Sequence, residues 1–245
     1  CSTIKTTDGK ILVFCDDIKD GGTAVYISDN GNTWFDPGIN KAVPEFEEGK
    51  TGAWIAGIHA SIVELENGKL LAAGRGNNIK GKMPFSVSID GGFTWKYSSS
   101  EFPPVSGGQR LTMIRLQEGP ILLVSFTDRR DLPRKEMKGL VGYDANGNKI
   151  KITGLFAAVS FDEGKTWPIK RVISDGSGCR IDSTDPNLYD ENAKNKNSNR
   201  IFTMDATSGE VMGYCDLIQA RNGIIHLISS RQHYQFNYQW LVEYK

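Results

Sequence analysis

An eight-residue string that occurs three times constrains this chain more than any other feature. Residues 88–95 read SIDGGFTW and residues 160–167 read SFDEGKTW, so Ser88, Asp90, Gly92, Thr94 and Trp95 share their offsets with Ser160, Asp162, Gly164, Thr166 and Trp167. A degenerate third copy, ISDNGNTW, keeps Asp29, Gly31, Thr33 and Trp34 and has Ile27 at the serine position. Recurrence in register over such intervals signals a repeated supersecondary unit rather than an isolated loop.

Each box follows an alternating apolar run (TAVYIS, MPFSVS, LFAAVS) and ends on an aromatic residue that opens another extended stretch. That pattern is strand, turn, strand. The aspartate can accept from turn amides, the glycine can take positive φ, and the tryptophan can cover apolar surface beside the hairpin. A calcium loop would need several more oxygen ligands than the one carboxylate of DGGFTW supplies. The box is therefore expected to be a structural clip.

A second signal lies between the boxes. Asp8-Gly9, Asn67-Gly68, Glu118-Gly119 and Asn222-Gly223 each separate two strand-like runs, as hairpin turns do. Each unit thus reads as strand A, glycine turn, strand B, loop, strand C, box and strand D. Four antiparallel strands per repeat predict an all-β chain of β-propeller blades. Four blades open near Cys1, Gly57, Gln109 and Gly213, and the last stops at NYQWLVEYK without a D strand. Residues 1–245 are read as a single propeller domain cut from a longer parent chain, incomplete at the N-terminus and open to continuation at the other end.

Charge narrows the partners. Twenty-nine basic residues balance 29 acidic ones, and no Lys/Arg block occurs, which argues against nucleic acid and anionic membrane surfaces. No apolar run approaches a membrane span. The four cysteines show no ligand spacing, so neither a metal nor another cofactor is expected, and Cys15 and Cys215 read as buried apolar residues. Nothing in the sequence sets the oligomeric state. Two stretches, 128–153 with its own Asn146-Gly147 turn and 174–209, interrupt the repeat as long loops that would decorate a binding face.

Strand order assigns the faces. Glycine turns and boxes share one face, so A starts and B ends share the other. The A starts carry His59, Gln109 with Arg110, and Tyr214; the B ends carry Asp16 and Asp17, then Arg75, then Asp128, then Arg231 with His233 and Tyr234. One polar residue per blade at equivalent rim positions makes a convergent pocket. Arg75, Arg110 and Arg231 would suit a carboxylate, because each guanidinium offers a planar fork of donors. His226, in mid-strand, reads as a satisfied core histidine.

With its Ser-x-Asp-x-Gly-x-Thr-Trp boxes, the chain resembles the sialidase (neuraminidase) superfamily over most of its length. The resemblance implies a six-bladed propeller, an arginine triad on the sugar carboxylate, a tyrosine nucleophile assisted by glutamate, an aspartate acid/base, and a secreted or periplasmic location. On this sequence Arg110, Arg231 and Arg75 could match the triad and Tyr214 with Glu210 the nucleophile pair. Gly57-Ile58-His59 stands where the family has Arg-Ile-Pro, and GRGNNIKGK offers Asn77 and Asn78 in place of the expected acid/base aspartate.

Three functions follow from these residues. The first is a sialidase-like exo-glycosidase acting on a terminal acidic sugar, with His59 or Asp128 as proton donor, Tyr214 or a carboxylate opposite, and Arg75, Arg110, Arg231, His233 and Tyr234 holding the glycan. The second is a polysaccharide lyase, in which arginine neutralises a uronate and His59 or Tyr234 removes the neighbouring proton. The third is a carbohydrate-binding module without chemistry.

Overall fold

The computed structural model describes residues 2–17, 21–130, 132, 136–144, 147–174, 178–180, 202–230 and 232–243. The first sheet orders β1 (Ser2–Lys5), β2 (Ile11–Asp17) and β3 (Gly22–Ser28) consecutively. The second contains β4 (Thr51–Gly52), β5 (Ile58–Glu64), β6 (Leu70–Arg75), β7 (Pro84–Ser88) and β8 (Trp95–Ser99), in the spatial order β4-β8-β7-β6-β5. After the two-residue β9 (Gln109–Arg110) come β10 (Thr112–Arg115) and β11 (Ile121–Phe126), an inserted hairpin of β12 (Leu140–Tyr143) and β13 (Lys149–Ile152), then β14 (Leu155–Ser160) and β15 (Ile169–Val172). Strands β10-β11-β14-β15 form the third sheet. A short pair, β16 (Gly178–Arg180) and β17 (Phe202–Met204), and the two-residue β18 (Gly213–Tyr214) lead to the fourth sheet, β19 (Asp216–Gln219), β20 (Ile224–Ile228) and β21 (His233–Asn237), closed by α1 (Tyr238–Val242). Among the described residues the fold is all-β apart from this helix, which Asn237 caps by accepting from Trp240 N at 2.8 Å.

The four sheets are built alike because their turns are alike. Gly9, Gly68, Gly119 and Gly223 all take positive φ, and each donates its amide to the carbonyl three residues earlier at 2.9 Å. Neighbouring sheets meet through their first strands. Ser61 Oγ of β5 accepts from Met113 N of β10 at 2.9 Å, and Thr112 of β10 reaches Asp216 of β19 at 3.5 Å. Residues of β11 and β14 are buried without alternation, as expected of strands covered on both faces. Their side chains join Val63, Leu71, Phe85, Trp167 and Leu227 in one core, and a second core sets Leu12, Phe14 and Ile27 against Ile62, Leu70 and Trp95.

Both intact boxes are closed clips. Ser88 Oγ donates to Asp90 Oδ1 and accepts from Gly92 N at 2.8 Å, while Asp90 accepts from Thr94 N at 2.9 Å and from the Thr94 hydroxyl at 2.6 Å. The second repeats this with Ser160, Asp162, Gly164 and Thr166. Gly92 takes φ +97, a left-handed backbone that favours glycine, and a Cβ there would lie 2.8 Å from Cδ2 of Leu12 in the preceding sheet, which would have to shift. Trp95 is fully buried and donates to Gly92 O at 3.1 Å.

The first box departs from its expected frame. Ser28 and Asn30 do the clipping, not Ile27 and Asp29: Gly31 N donates to Ser28 Oγ at 2.8 Å and Thr33 N to Asn30 Oδ1 at 3.0 Å. The turn is one residue shorter than the others, and Trp34 is left 43 % exposed. No D strand follows it; Phe35 makes a single bridge to Ile27, and the chain pairs as β4 with β8 of the next sheet.

The turns and boxes share one face. Arg115 donates from both terminal nitrogens to Glu163, which sits in the SFDEGKTW box, and to the carbonyls of Glu64 and Gly119. Glu163 also accepts from Glu66 N at 2.7 Å, Glu64 from Thr7 N at 2.8 Å, and Gln219 Oε1 from Gln117 N at 2.7 Å. Every sheet is thereby tied to the next along this rim.

Two cysteine and histidine readings need correction. Cys15 is disulfide-bonded, whereas Cys215 is free and buried. His226 is no core residue: its register on β20 turns it to the half-exposed side, where its ring stacks on His233 with centroids 5.3 Å apart.

Candidate functional site

The opposite face gathers the ends of several sheets. At the head of β5 the register slips between Ile58 and Ser61, and His59 takes φ +52. This bulge follows from Gly57, where a Cβ would lie 2.8 Å from the backbone of Arg75, and it re-aims the histidine. Asp16, near the end of β2, accepts the His59 amide at 2.5 Å and also bonds Nδ1 of its ring. Holding the proton on Nδ1 leaves Nε2 as an acceptor, and the Tyr214 hydroxyl lies 3.2 Å from it.

Tyr214 is placed by a parallel pairing of β18 with β9, Gly213 against Gln109 and Tyr214 against Arg110. Gln109 is the organiser. Fully buried, its amide donates to Asp128 O at 2.7 Å and Val211 O at 2.9 Å and accepts from Ser106 N at 2.8 Å. Arg75, at the end of β6, gives Nη1 to Gln109 O and to the Tyr214 hydroxyl, both at 3.1 Å, and its guanidinium lies 5.7 Å from the Tyr214 ring centre. Its Nε and Nη2 edge has no hydrogen-bond partner among the described residues, which leaves a two-donor edge open to a planar anion. Tyr214 itself is 44 % exposed.

Electrostatics suit this geometry. Burial lowers the His59 pKa first, the Arg75 charge lowers it further and Arg110 adds to this, against the opposing pull of Asp16. The imidazole therefore stays neutral below the ordinary histidine range, its lone pair facing the phenol.

Of the other expected site residues, Arg110 belongs to this group, its charge acting on His59, whereas Asp128, Glu210, His233 and Tyr234 make no hydrogen bond to the side chains of His59, Arg75 or Tyr214. Asp128 accepts Lys138 N at 2.7 Å, Gly139 N at 3.0 Å and the Thr127 hydroxyl at 2.7 Å, so its carboxylate anchors the inserted loop. Glu210 is fully buried and accepts from Ser229 Oγ at 2.8 Å and Tyr234 OH at 2.5 Å; its tyrosine partner is Tyr234 and not Tyr214. His233 faces His226, with Nε2 3.1 Å from Nδ1. Arg231 lies outside the described residues. Asp16 was legible only as one rim residue among several, because its partnership with His59 spans 43 positions.

Among the described residues no group of three or more His, Cys, Asp or Glu side chains is placed to hold a metal ion, and no helix is long and apolar enough to cross a membrane.

Residues 1–227 match the model of the BNR repeat-like domain. No curated protein matches the sequence. Among solved structures, the chain is similar to the intramolecular trans-sialidase from Ruminococcus gnavus in complex with oseltamivir carboxylate, at 15 % identity over 98 % of this chain and 43 % of that one, with a TM-score of 0.54. It is similar to the leech intramolecular trans-sialidase complexed with 2,7-anhydro-Neu5Ac, at 16 % identity over 98 % of this chain and 31 % of that one, TM-score 0.55. NanB sialidase from Streptococcus pneumoniae, as its K499G mutant, aligns at 16 % identity over 94 % of this chain and 27 % of its own length, TM-score 0.50. The chain thus spans between 27 % and 43 % of the length of these proteins, and at such identities the likeness carries the fold.

Proposed function

This chain belongs to the BNR repeat-like domain family, and from that premise we propose that it is part of a sialidase-like β-propeller glycosidase that releases a terminal acidic sugar from a glycan. One observation carries the reading: the Tyr214 hydroxyl is held between His59 Nε2 and Arg75 Nη1 on the face away from the boxes. Tyr214 is the nucleophile, and the open edge of Arg75, with Arg110 beside it, receives the sugar carboxylate. The four like-built sheets, meeting through their first strands, are blades of a six-bladed ring completed by further chain. The Cys15 disulfide supports a secreted or periplasmic location, since such bonds persist in oxidising compartments.

A polysaccharide lyase is the second reading. It is favoured by the Asp128 carboxylate, whose bonds to loop amides remove one candidate proton donor, whereas a lyase needs only a base and a guanidinium on the uronate. Product analysis of the full-length protein on a panel of acidic glycans separates the two. Release of the free acidic monosaccharide supports the hydrolase; a new absorbance in the unsaturated-uronate band replaces it with the lyase. Binding without any product leaves a carbohydrate-binding module.

A further inference from the structure

We propose that Asp16 and His59 form the base that deprotonates Tyr214, a histidine–aspartate pair activating the tyrosine nucleophile. The inference rests on the glycosidase reading above and names the proton path within it. Three features point to it. Asp16 bonds both the backbone amide and Nδ1 of His59, which fixes the ring and the tautomer together. Nε2 then has its lone pair directed at the Tyr214 hydroxyl, 3.2 Å away. Arg75 donates to the same phenolic oxygen at 3.1 Å, so the negative charge that appears on deprotonation is met by a guanidinium.

The chemistry balances without a further reactant. His59 Nε2 takes the phenol proton as the Tyr214 oxygen bonds to the anomeric carbon and the glycosidic C–O bond breaks. The aglycone oxygen leaves with the bonding pair on the face opposite Tyr214 and takes a proton from solvent, while the imidazolium keeps the phenol proton. Water then attacks the anomeric carbon from that opposite face and releases one proton to solvent, and the imidazolium returns the phenol proton to the departing Tyr214 oxygen. Asp16 touches neither substrate nor reacting atom and is a positioning residue.

The groups facing His59 are Asp16 from β2, Arg75 from β6, Arg110 from β9 and Tyr214 from β18. Burial and the two arginine charges keep the imidazole neutral, so activity falls with acid only as His59 protonates, on a limb below the usual histidine value of about 6.5.

The test compares wild type, Asp16→Asn and His59→Asn in the full-length protein, on a 4-nitrophenyl α-sialoside and on 3′-sialyllactose. Asparagine tolerates the left-handed backbone of position 59. Removing either partner should lower kcat by about 100-fold or more with little change in KM, and equally on both substrates, since the base acts on the nucleophile. Asp16→Asn should also shift the acid limb. Undiminished kcat overturns the proposal, as does a loss confined to 3′-sialyllactose, which would make His59 only the donor to the leaving group. If wild type cleaves neither substrate, the glycosidase reading fails by itself, and nitrogen NMR of His59 still decides the pair. A proton on Nδ1 that Asp16→Asn displaces upholds it; a proton on Nε2 in wild type rejects it.

Discussion

Trp95 and Trp34 occupy the same position in two boxes, and the structure predicts that they differ sharply in worth. Trp95 is fully buried and its indole N–H reaches Gly92 O at 3.1 Å, while Trp34 is 43 % exposed. A buried tryptophan removes about 200 Å² from water, which at about 25 cal/mol per Å² is about 5 kcal/mol as an upper bound. A compact unfolded ensemble trims this, and the cavity and the orphaned carbonyl add to it, so Trp95→Ala should cost about 3–5 kcal/mol. At position 34 little more than half of that area is covered, about 3 kcal/mol as an upper bound, and no closed cavity forms, giving about 1.5–2.5 kcal/mol for Trp34→Ala. The centres of the two ranges differ by about 2 kcal/mol, roughly a thirtyfold difference in the folding equilibrium. Urea unfolding followed by near-UV circular dichroism measures it, with retained glycan affinity in the folded fraction as a second reading. Equal losses at the two positions would refute the argument that burial, and not the motif, sets the contribution; loss of affinity at unchanged stability would refute the placing of boxes away from the site.

Other expectations are as concrete. Glu163 has its pKa lowered, first by the Arg115 bonds and then by the Glu66 amide against the cost of burial; a depressed folded value contributes stability above the unfolded value of about 4.3 that is lost as pH falls through the folded one. Acid melting curves of Glu163→Gln should therefore be flatter below about pH 4 than those of wild type, and parallel curves would count against the clip. Arg75→Ala should weaken binding of N-acetylneuraminic acid at least tenfold while leaving a neutral hexose nearly unaffected, read by calorimetry; equal losses would remove the carboxylate role. Tyr234→Phe deletes a bond to the buried Glu210 and should cost about 1.5–3 kcal/mol in urea unfolding while leaving the ligand affinity of the folded protein unchanged. A loss of affinity with intact stability would return Glu210 and Tyr234 to the site.

Strand order was legible because glycine turns and boxes are short-range signals, written within a few residues of where they act. His59, Arg75 and Tyr214 were reachable by one further step, since equivalent strand ends in successive units lie on one rim. What the sequence hid is long-range or a matter of frame. Asp16 and Asp17 stand side by side at the end of β2, and only coordinates tell that Asp16 bends back to His59. Glu210 lies four residues before Tyr214, yet its bonds go forward across the chain to Ser229 and Tyr234. The first box misled because Ser28-x-Asn30 sits one residue inside ISDNGNTW, and asparagine accepts turn amides as an aspartate does. Cys15 sits on an apolar strand and has no pairing signal around it.

The left-handed backbone at His59 restricts how this position can change. A residue other than glycine pays on the order of 1–3 kcal/mol for such a conformation, and here the carboxylate of Asp16 meets the amide that results. That cost is present before any ligand arrives, so the imidazole needs no rearrangement to face Tyr214. It also filters substitutions: β-branched and bulky side chains are excluded by the main chain alone, leaving asparagine, aspartate and glycine as the tolerated exits. A related chain with asparagine or glycine at this point would mark a lineage that kept the scaffold and gave up the proton transfer, a distinction readable from a single position.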